Sequence, residues 1–235
     1  MASTPLAPVS GSSFVSEIRR QLATLPLRPG LVFFSGHAHS SRLSHYFLAA
    51  PLLRGETVLV LDAANCFDPY RIVAIAQQWR RFPPDLLRSI LVSRAFTCFQ
   101  MAELIERTAE AACRYRTRCV VLTGFPDIFD DEEISAAEAK SVLTRALSVL
   151  RRWAGLRLTA LAFSDLSPQP TPLRAWLTRQ LAREATAVYR FEETITGLVL
   201  RNEKTPALPP FSPAASAAGS HGHPSTALGT RKPVA

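Results

Sequence analysis

The chain contains no apolar run approaching the ~18 residues that a membrane-spanning helix needs. Its N-terminus, Met1 to Pro8, lacks a basic stretch followed by an apolar one, so no secretory signal is expected. The four cysteines, Cys66, Cys98, Cys113 and Cys119, form no C-x-x-C pair, and reduced structural thiols in a cytoplasmic protein are the expectation. Acidic residues are outnumbered: the formal net charge is +8, with arginine far commoner than lysine. That balance suits a nucleic-acid partner or an acidic protein surface, and an arginine-rich genome composition explains it equally well. Residues 205–230 contain no Asp, Glu, Lys or Arg and are dominated by Pro, Ala, Ser and Gly. Such a segment cannot bury a core, so 203–235 reads as a disordered tail, with His221 and His223 solvated in it. Residues 1–13 read as a disordered lead-in on the same grounds.

Between these tails, a hydrophobic fraction of 47% is ample for one domain of roughly 190–200 residues. Strand and helix patterns alternate. Short apolar runs at Leu31–Ser35, Thr57–Leu61, Ile90–Ser93, Cys119–Leu122 and Leu158–Phe163 predict buried strands. Helices are predicted over Phe14–Leu25, Arg42–Leu53 (which Pro51 should end or kink), Pro69–Arg80, Gln100–Arg116, Glu132–Trp153 and Pro172–Glu184. Asp68-Pro69 and Thr171-Pro172 read as caps followed by proline at the first helical position. Ala187–Phe191 and Thr194–Arg201 predict a terminal hairpin. The pattern implies an α/β fold, a mostly parallel central sheet with helices on both faces and an antiparallel C-terminal edge hairpin. Ligands of such sheets bind beyond the carboxyl ends of the strands, which points to the loops after Ser35, Leu61, Leu122 and Phe163.

The first of these loops follows a buried strand and precedes a helix, as a phosphate-binding loop does. The motif is a glycine, four residues, a second glycine, a lysine and a Ser or Thr. Gly36 fits the first glycine. Ser41 then stands at the second glycine, Arg42 at the lysine and Leu43 at the Mg²⁺-holding hydroxyl.

Further segments carry a resemblance in order and spacing. Val58-Leu59-Val60-Leu61-Asp62-Ala63-Ala64-Asn65-Cys66-Phe67-Asp68-Pro69-Tyr70-Arg71 resembles the RecA/RadA recombinase family, where a strand ends in Ile-Asp-Thr-Glu-Gly-x-Phe before x-Pro-x-Arg and a helix. Ser93-Arg94-Ala95-Phe96 matches that family's Ala-Arg-Ala-Phe, with Gln100 following. Val120 to Gly124 takes the place of the Walker B strand, and Leu158–Leu166 that of the strand ending in Thr-Asn-Gln. The resemblance covers residues 28–201 and implies a RecA-like three-layer P-loop NTPase core at 28–202, preceded by a helix at 14–27.

Hydrolysis on that fold needs a phosphate cradle with a lysine, a Mg²⁺-holding hydroxyl and acid, a carboxylate for the attacking water and a polar sensor. By the resemblance, Gly36, His37, His39, Ser40, Ser41, Arg42 and Leu43 form a degenerate nucleotide loop. Ala64 replaces the catalytic acid, Thr123 the Walker B acid and Asp165 the sensor glutamine, with Asp62 nearby. No catalytic or metal site is expected from these residues. Asp62, Asp127, Asp130, Asp131 and Glu132 offer carboxylates for a relocated Mg²⁺, but acids at 130–133 are better explained as the first turn of the long helix. A zinc set from His37, His39, His45 and Cys66 has no standard ligand spacing.

The resemblance thus implies a pseudo-ATPase, an accessory or paralogous subunit in DNA recombination or repair. Its partner would be a RecA-type recombinase or another repair protein, in a homo- or hetero-oligomer, with DNA met through an arginine-rich surface. ATP and Mg²⁺ would matter only if the degenerate loop still took nucleotide. Family-style strand gripping fits poorly, because Phe125–Glu133 is acidic and Ser164–Thr171 is short and Pro-rich. Phe14-Val15-Ser16-Glu17 stands near the family's Phe-x-x-Ala assembly motif and lacks the alanine. Two other readings stay open: a divergent DNA-dependent ATPase using Arg42, and a RecA-fold signalling or scaffold protein that does not act on DNA.

Overall fold

In a computed structural model, residues 28–167, 170–195 and 197–204 are described. The expected lead-in at 1–13, the helix at 14–27 and all but the first two residues of the expected tail lie outside them. In chain order the elements are β1 (Gly30–Ser35), α1 (Ser40–Phe47), α2 (Ala49–Leu53), β2 (Val58–Asp62), α3 (Pro69–Gln78), α4 (Pro83–Arg88), β3 (Ile90–Arg94) and α5 (Cys98–Tyr115). After these come β4 (Cys119–Thr123), a 3-10 turn (Asp127–Phe129), α6 (Ala136–Trp153), β5 (Thr159–Phe163), α7 (Pro172–Glu184), β6 (Ala187–Thr194) and β7 (Gly197–Asn202).

The strands form one sheet in the order β3-β2-β4-β5-β1-β6-β7. Every pairing is parallel except β6 with β7, where Phe191 faces Leu200. The fold is therefore α/β, mostly parallel, with an antiparallel hairpin at one edge. Alternation along the strands feeds two cores. Leu31, Phe33, Val120 and Leu122 pack with Met101, Ile105, Leu143, Trp153, Leu177 and Leu181 from α5, α6 and α7. Val32, Phe34, Val58 and Val60 pack with Leu43, Phe47, Leu52, Ile72 and Leu86 from α1 to α4. Phe34 is central to the second core, stacked on Phe163 at 4.7 Å and edge-on to Phe47 at 4.5 Å. Full burial of one such ring stabilises by about 1.5–3 kcal/mol.

The chain runs from β1 to α1 in one layer, and from the adjacent β5 to α7 in the other. Adjacent strands that diverge in this way open a crevice at their carboxyl ends.

Several elements differ from the sequence reading: in the hairpin, β6 runs on to Thr194 and β7 begins at Gly197. The expected helix over Arg42–Leu53 is two helices that part at Leu48. Pro51 lies in the first turn of α2, where no intrahelical partner for an N–H is needed. The long helix expected from Glu132 begins at Ala136, so the acidic run 130–133 precedes it and only Glu138 occupies its first turn. Ser135 Oγ accepts from the Glu138 amide at 3.2 Å and fixes that start. Likewise α5 begins at Cys98, two residues early, because Thr97 caps it by accepting from the Gln100 amide. The short helix α4 was not expected; it opens on Pro83-Pro84 and buries only Leu86.

Candidate functional site

The loops after β1, β2, β4 and β5 lie side by side, and their polar groups are taken up by one another. Ser41, the second residue of α1, is buried, and its amide donates to Asp165 Oδ1 at 2.7 Å. Its hydroxyl accepts from the Gly124 amide at 3.1 Å and donates to the Phe163 carbonyl at 3.5 Å. A carboxylate at a helix N-terminus is favourable, because the free amides carry partial positive charge there. Here the chain supplies its own anion at the place where a phosphate loop would receive one.

The remaining loop groups are closed in the same way. His37 donates its amide to Ser40 Oγ, which donates back to the His37 carbonyl at 2.8 Å. His37 Nδ1 accepts from the His39 amide at 3.0 Å, which leaves Nε2 to donate to Glu193 Oε1 at 3.1 Å. Gly36 has φ +100, and a Cβ there would stand 2.6 Å from the Phe191 carbonyl oxygen. The glycine is required by the close approach of β6. Arg42 is exposed, and Leu43 is buried in the core with no metal-ligating atom.

Behind this loop, Asp62 is fully buried. Its Oδ1 accepts from Thr123 Oγ1 at 2.6 Å and from the Cys66 amide at 3.1 Å; its Oδ2 accepts from the Phe67 amide at 3.0 Å and faces Arg94 Nε at 3.8 Å. Thr123, at the expected Walker B position, therefore directs its hydroxyl into the protein. Ala64 presses on Gly124: φ there is +66, and a Cβ on Gly124 would lie 2.8 Å from the Ala64 nitrogen. The acid position of the resemblance is thus closed by backbone.

Asp127 was read as a carboxylate available to a metal. Its Oδ1 instead accepts from Ser164 Oγ at 2.5 Å and pairs with Arg174 at 3.0 Å, and its Oδ2 accepts from the Asp165 amide at 2.7 Å. Burial pushes its carboxyl above the usual range, against the opposing pull of Ser164, Arg174 and the Asp165 amide. Asp130 accepts from Thr171. Among the described residues, no three His, Cys, Asp or Glu side chains are placed to hold a metal. His37 and His39 meet each other, while His45 and Cys66 belong to a separate cleft. Burial pushes the Cys66 thiol up to about 12, so it is inert as a nucleophile.

His45 is a bridging residue that sequence reasoning placed only in the discarded zinc set. It is buried, and its Nε2 accepts from the Asp68 amide at 2.9 Å, so Nδ1 carries the proton and donates to the Arg42 carbonyl at 2.8 Å. Burial holds its pKa below 6.5; nearby Arg71 acts in the same sense, and the Arg42 carbonyl, Asp68 and Asp62 oppose it. The unfolded chain binds a proton as pH falls below about 6.5 and the folded chain resists it. Stability from this residue is thus complete above that value and lost on acidification, by at most about 1.4 kcal/mol per pH unit. Urea midpoints measured between pH 7.5 and 5 are expected to fall more steeply in the wild type than in His45→Gln. Parallel curves would refute the assignment.

No helix of the described residues is long and apolar enough to cross a membrane. No protein-family model matches the chain.

Proposed function

We propose that the chain is a RecA/RadA-like P-loop fold that has lost its phosphate chemistry. It would serve in the cytoplasm as an accessory or paralogous subunit in DNA recombination or repair, through a RecA-type recombinase or another repair protein. The observation that carries this reading is the Ser41 amide held by Asp165 at 2.7 Å. An internal carboxylate at that amide repels the triphosphate that a working loop would cradle. Three further features support it. Leu43 gives Mg²⁺ no hydroxyl, the Thr123 hydroxyl donates to Asp62, and Ala64 is packed against Gly124. The alternative of an ATPase using Arg42 asks that side chain to serve a loop whose anion position is already occupied.

A nucleotide bound at a hundredfold excess over its Kd adds about 2.7 kcal/mol, or roughly 5–10 °C in Tm for a domain of this size. Saturating ATP–Mg²⁺ is expected to leave the melting temperature unchanged, and turnover with single-stranded DNA to stay at the buffer rate. Turnover at the rate of an active recombinase would sink the proposal. The partner half is checked by whether the chain co-elutes with a RecA-type recombinase from the same source and alters its DNA-dependent ATPase; the absence of both effects would rule out a RecA-type recombinase as the partner.

A further inference from the structure

A second opening lies beside the phosphate-loop crevice, between α1 and the loop that joins β2 to α3. This cleft of about 350 Å³ is lined by Arg42, His45 and residues 65–71. Its walls are held from both sides. Asp62 accepts from the amides of Cys66 and Phe67, and Asn65 turns the loop in a left-handed conformation (φ 47). His45 ties the Arg42 carbonyl to the Asp68 amide and stacks on Phe67. Two arginines from different helices thereby line one cleft.

Neither Arg42 nor Arg71 has an acidic partner among the described residues, whereas Arg94 at the end of β3 and Arg174 in the first turn of α7 face Asp62 and Asp127. The cleft's own carboxylate, Asp68, uses Oδ1 to cap α3 by accepting from the Tyr70 amide. With His45 neutral, two cations and one anion leave the lining positive. On the rim, Tyr70 is 82% exposed, a large aromatic face turned to solvent.

We propose that this cleft binds the backbone of a single-stranded nucleic acid, with Arg42 and Arg71 on phosphate and Tyr70 stacked on a base. Guanidinium forks match phosphate oxygens bidentately, better than a point charge does. A cationic groove beside an exposed aromatic is the arrangement that sequence-tolerant single-strand binding uses. Carboxylates of an acidic peptide would satisfy the arginines and leave Tyr70 without a role. The surface requires no nucleotide and no catalysis, so it stands or falls separately from the reading of the phosphate loop.

The test is fluorescence anisotropy of a labelled oligothymidylate of about 16 nucleotides with the full chain, without ATP, titrated upward from about 50 mM salt. Two phosphate contacts on a single strand contribute about 1.4 to the slope of log K against log salt. Arg42→Gln/Arg71→Gln is expected to remove that contribution and weaken binding at least tenfold. Tyr70→Ala, a rim change that leaves the fold intact, is expected to weaken binding about tenfold with the slope unchanged. The pair Arg179→Gln/Arg183→Gln, on α7, is the control and should stay within about twofold of wild type. The proposal is overturned if the wild type does not bind at low salt, if the cleft variants bind like wild type, if the control loses as much, or if polyglutamate displaces the oligonucleotide as well as unlabelled oligothymidylate does.

Discussion

Asp62→Ala is expected to cost about 3–5 kcal/mol, because it removes a buried carboxylate that accepts three hydrogen bonds and each stranded donor costs about 1–3 kcal/mol. The wild-type carboxylate is completely enclosed and serves four groups from three segments: Thr123 Oγ1 on β4, the Cys66 and Phe67 amides, and Arg94 at the end of β3. Alanine leaves all of them without an acceptor, and each stranded buried donor costs about 1–3 kcal/mol unless water reaches it. Thr123→Val removes a single hydroxyl and is expected to cost about 1 kcal/mol. Urea unfolding separates the two, with equal m-values and a midpoint displaced several-fold further for Asp62→Ala. A loss under about 1 kcal/mol for Asp62→Ala would mean that the 62–67 loop does not depend on this carboxylate. The resemblance placed Asp62 beside a nucleotide, whereas its oxygens face inward and organise the loop.

The architecture was legible in the sequence because each strand is a short apolar run bounded by turn residues, and its neighbours are helical repeats. Val58–Asp62 and Cys119–Thr123, buried along their whole length, read as continuous apolar runs of that kind. Helix starts were less legible. Asp68 and Thr171 were found because proline follows each cap. Ser135-Ala-Ala-Glu138 and Thr97-Cys-Phe-Gln100 carry the equally local signature of Ser or Thr three residues before Glu or Gln. The acidic run at 130–133 drew attention away from the first of these. The break at Leu48 was announced by Pro51, which has no N–H to donate to the Phe47 carbonyl four residues back.

The contacts of the candidate site were not legible in the sequence. The resemblance drew attention to positions 41, 42, 43, 64, 123 and 165 one by one, without saying what each touches. That Asp165 meets the Ser41 amide, 124 residues away, is decided by β1 and β5 lying adjacent in the sheet. No local pattern encodes it. The same holds for Asp127, whose partners Ser164 and Asp165 lie 37 and 38 residues on. Gly36 matched the loop motif, while the structure gives it a packing reason in the backbone of β6. That packing accounts for the glycine without any phosphate.

Replacing Asp165 tests whether the proposed phosphate loop is blocked by a carboxylate or rebuilt in its backbone. In the wild type its carboxylate accepts from the Ser41 amide at the start of α1, a charge-assisted bond of about 1.5–3 kcal/mol, with a further 0.3–1 kcal/mol from the helix dipole. Asp165→Ala keeps the backbone bonds of residue 165 to Asp127 and Arg174 and removes only that anion. The expected loss is about 2–3 kcal/mol, or roughly 4–12 °C in Tm. Asp165→Asn, which keeps an acceptor without the charge, should fall between. If the carboxylate occupies an anion position, inorganic phosphate should raise the melting temperature of Asp165→Ala and leave the wild type unmoved, since stabilisation follows binding to the native state alone. Equal responses of the two proteins to phosphate would place the anion elsewhere, and an unchanged Tm on mutation would remove the contact from the structure's support. Recovery by phosphate in the variant alone would mean that one internal carboxylate, rather than the loss of glycines along residues 37–41, keeps phosphate out of this loop.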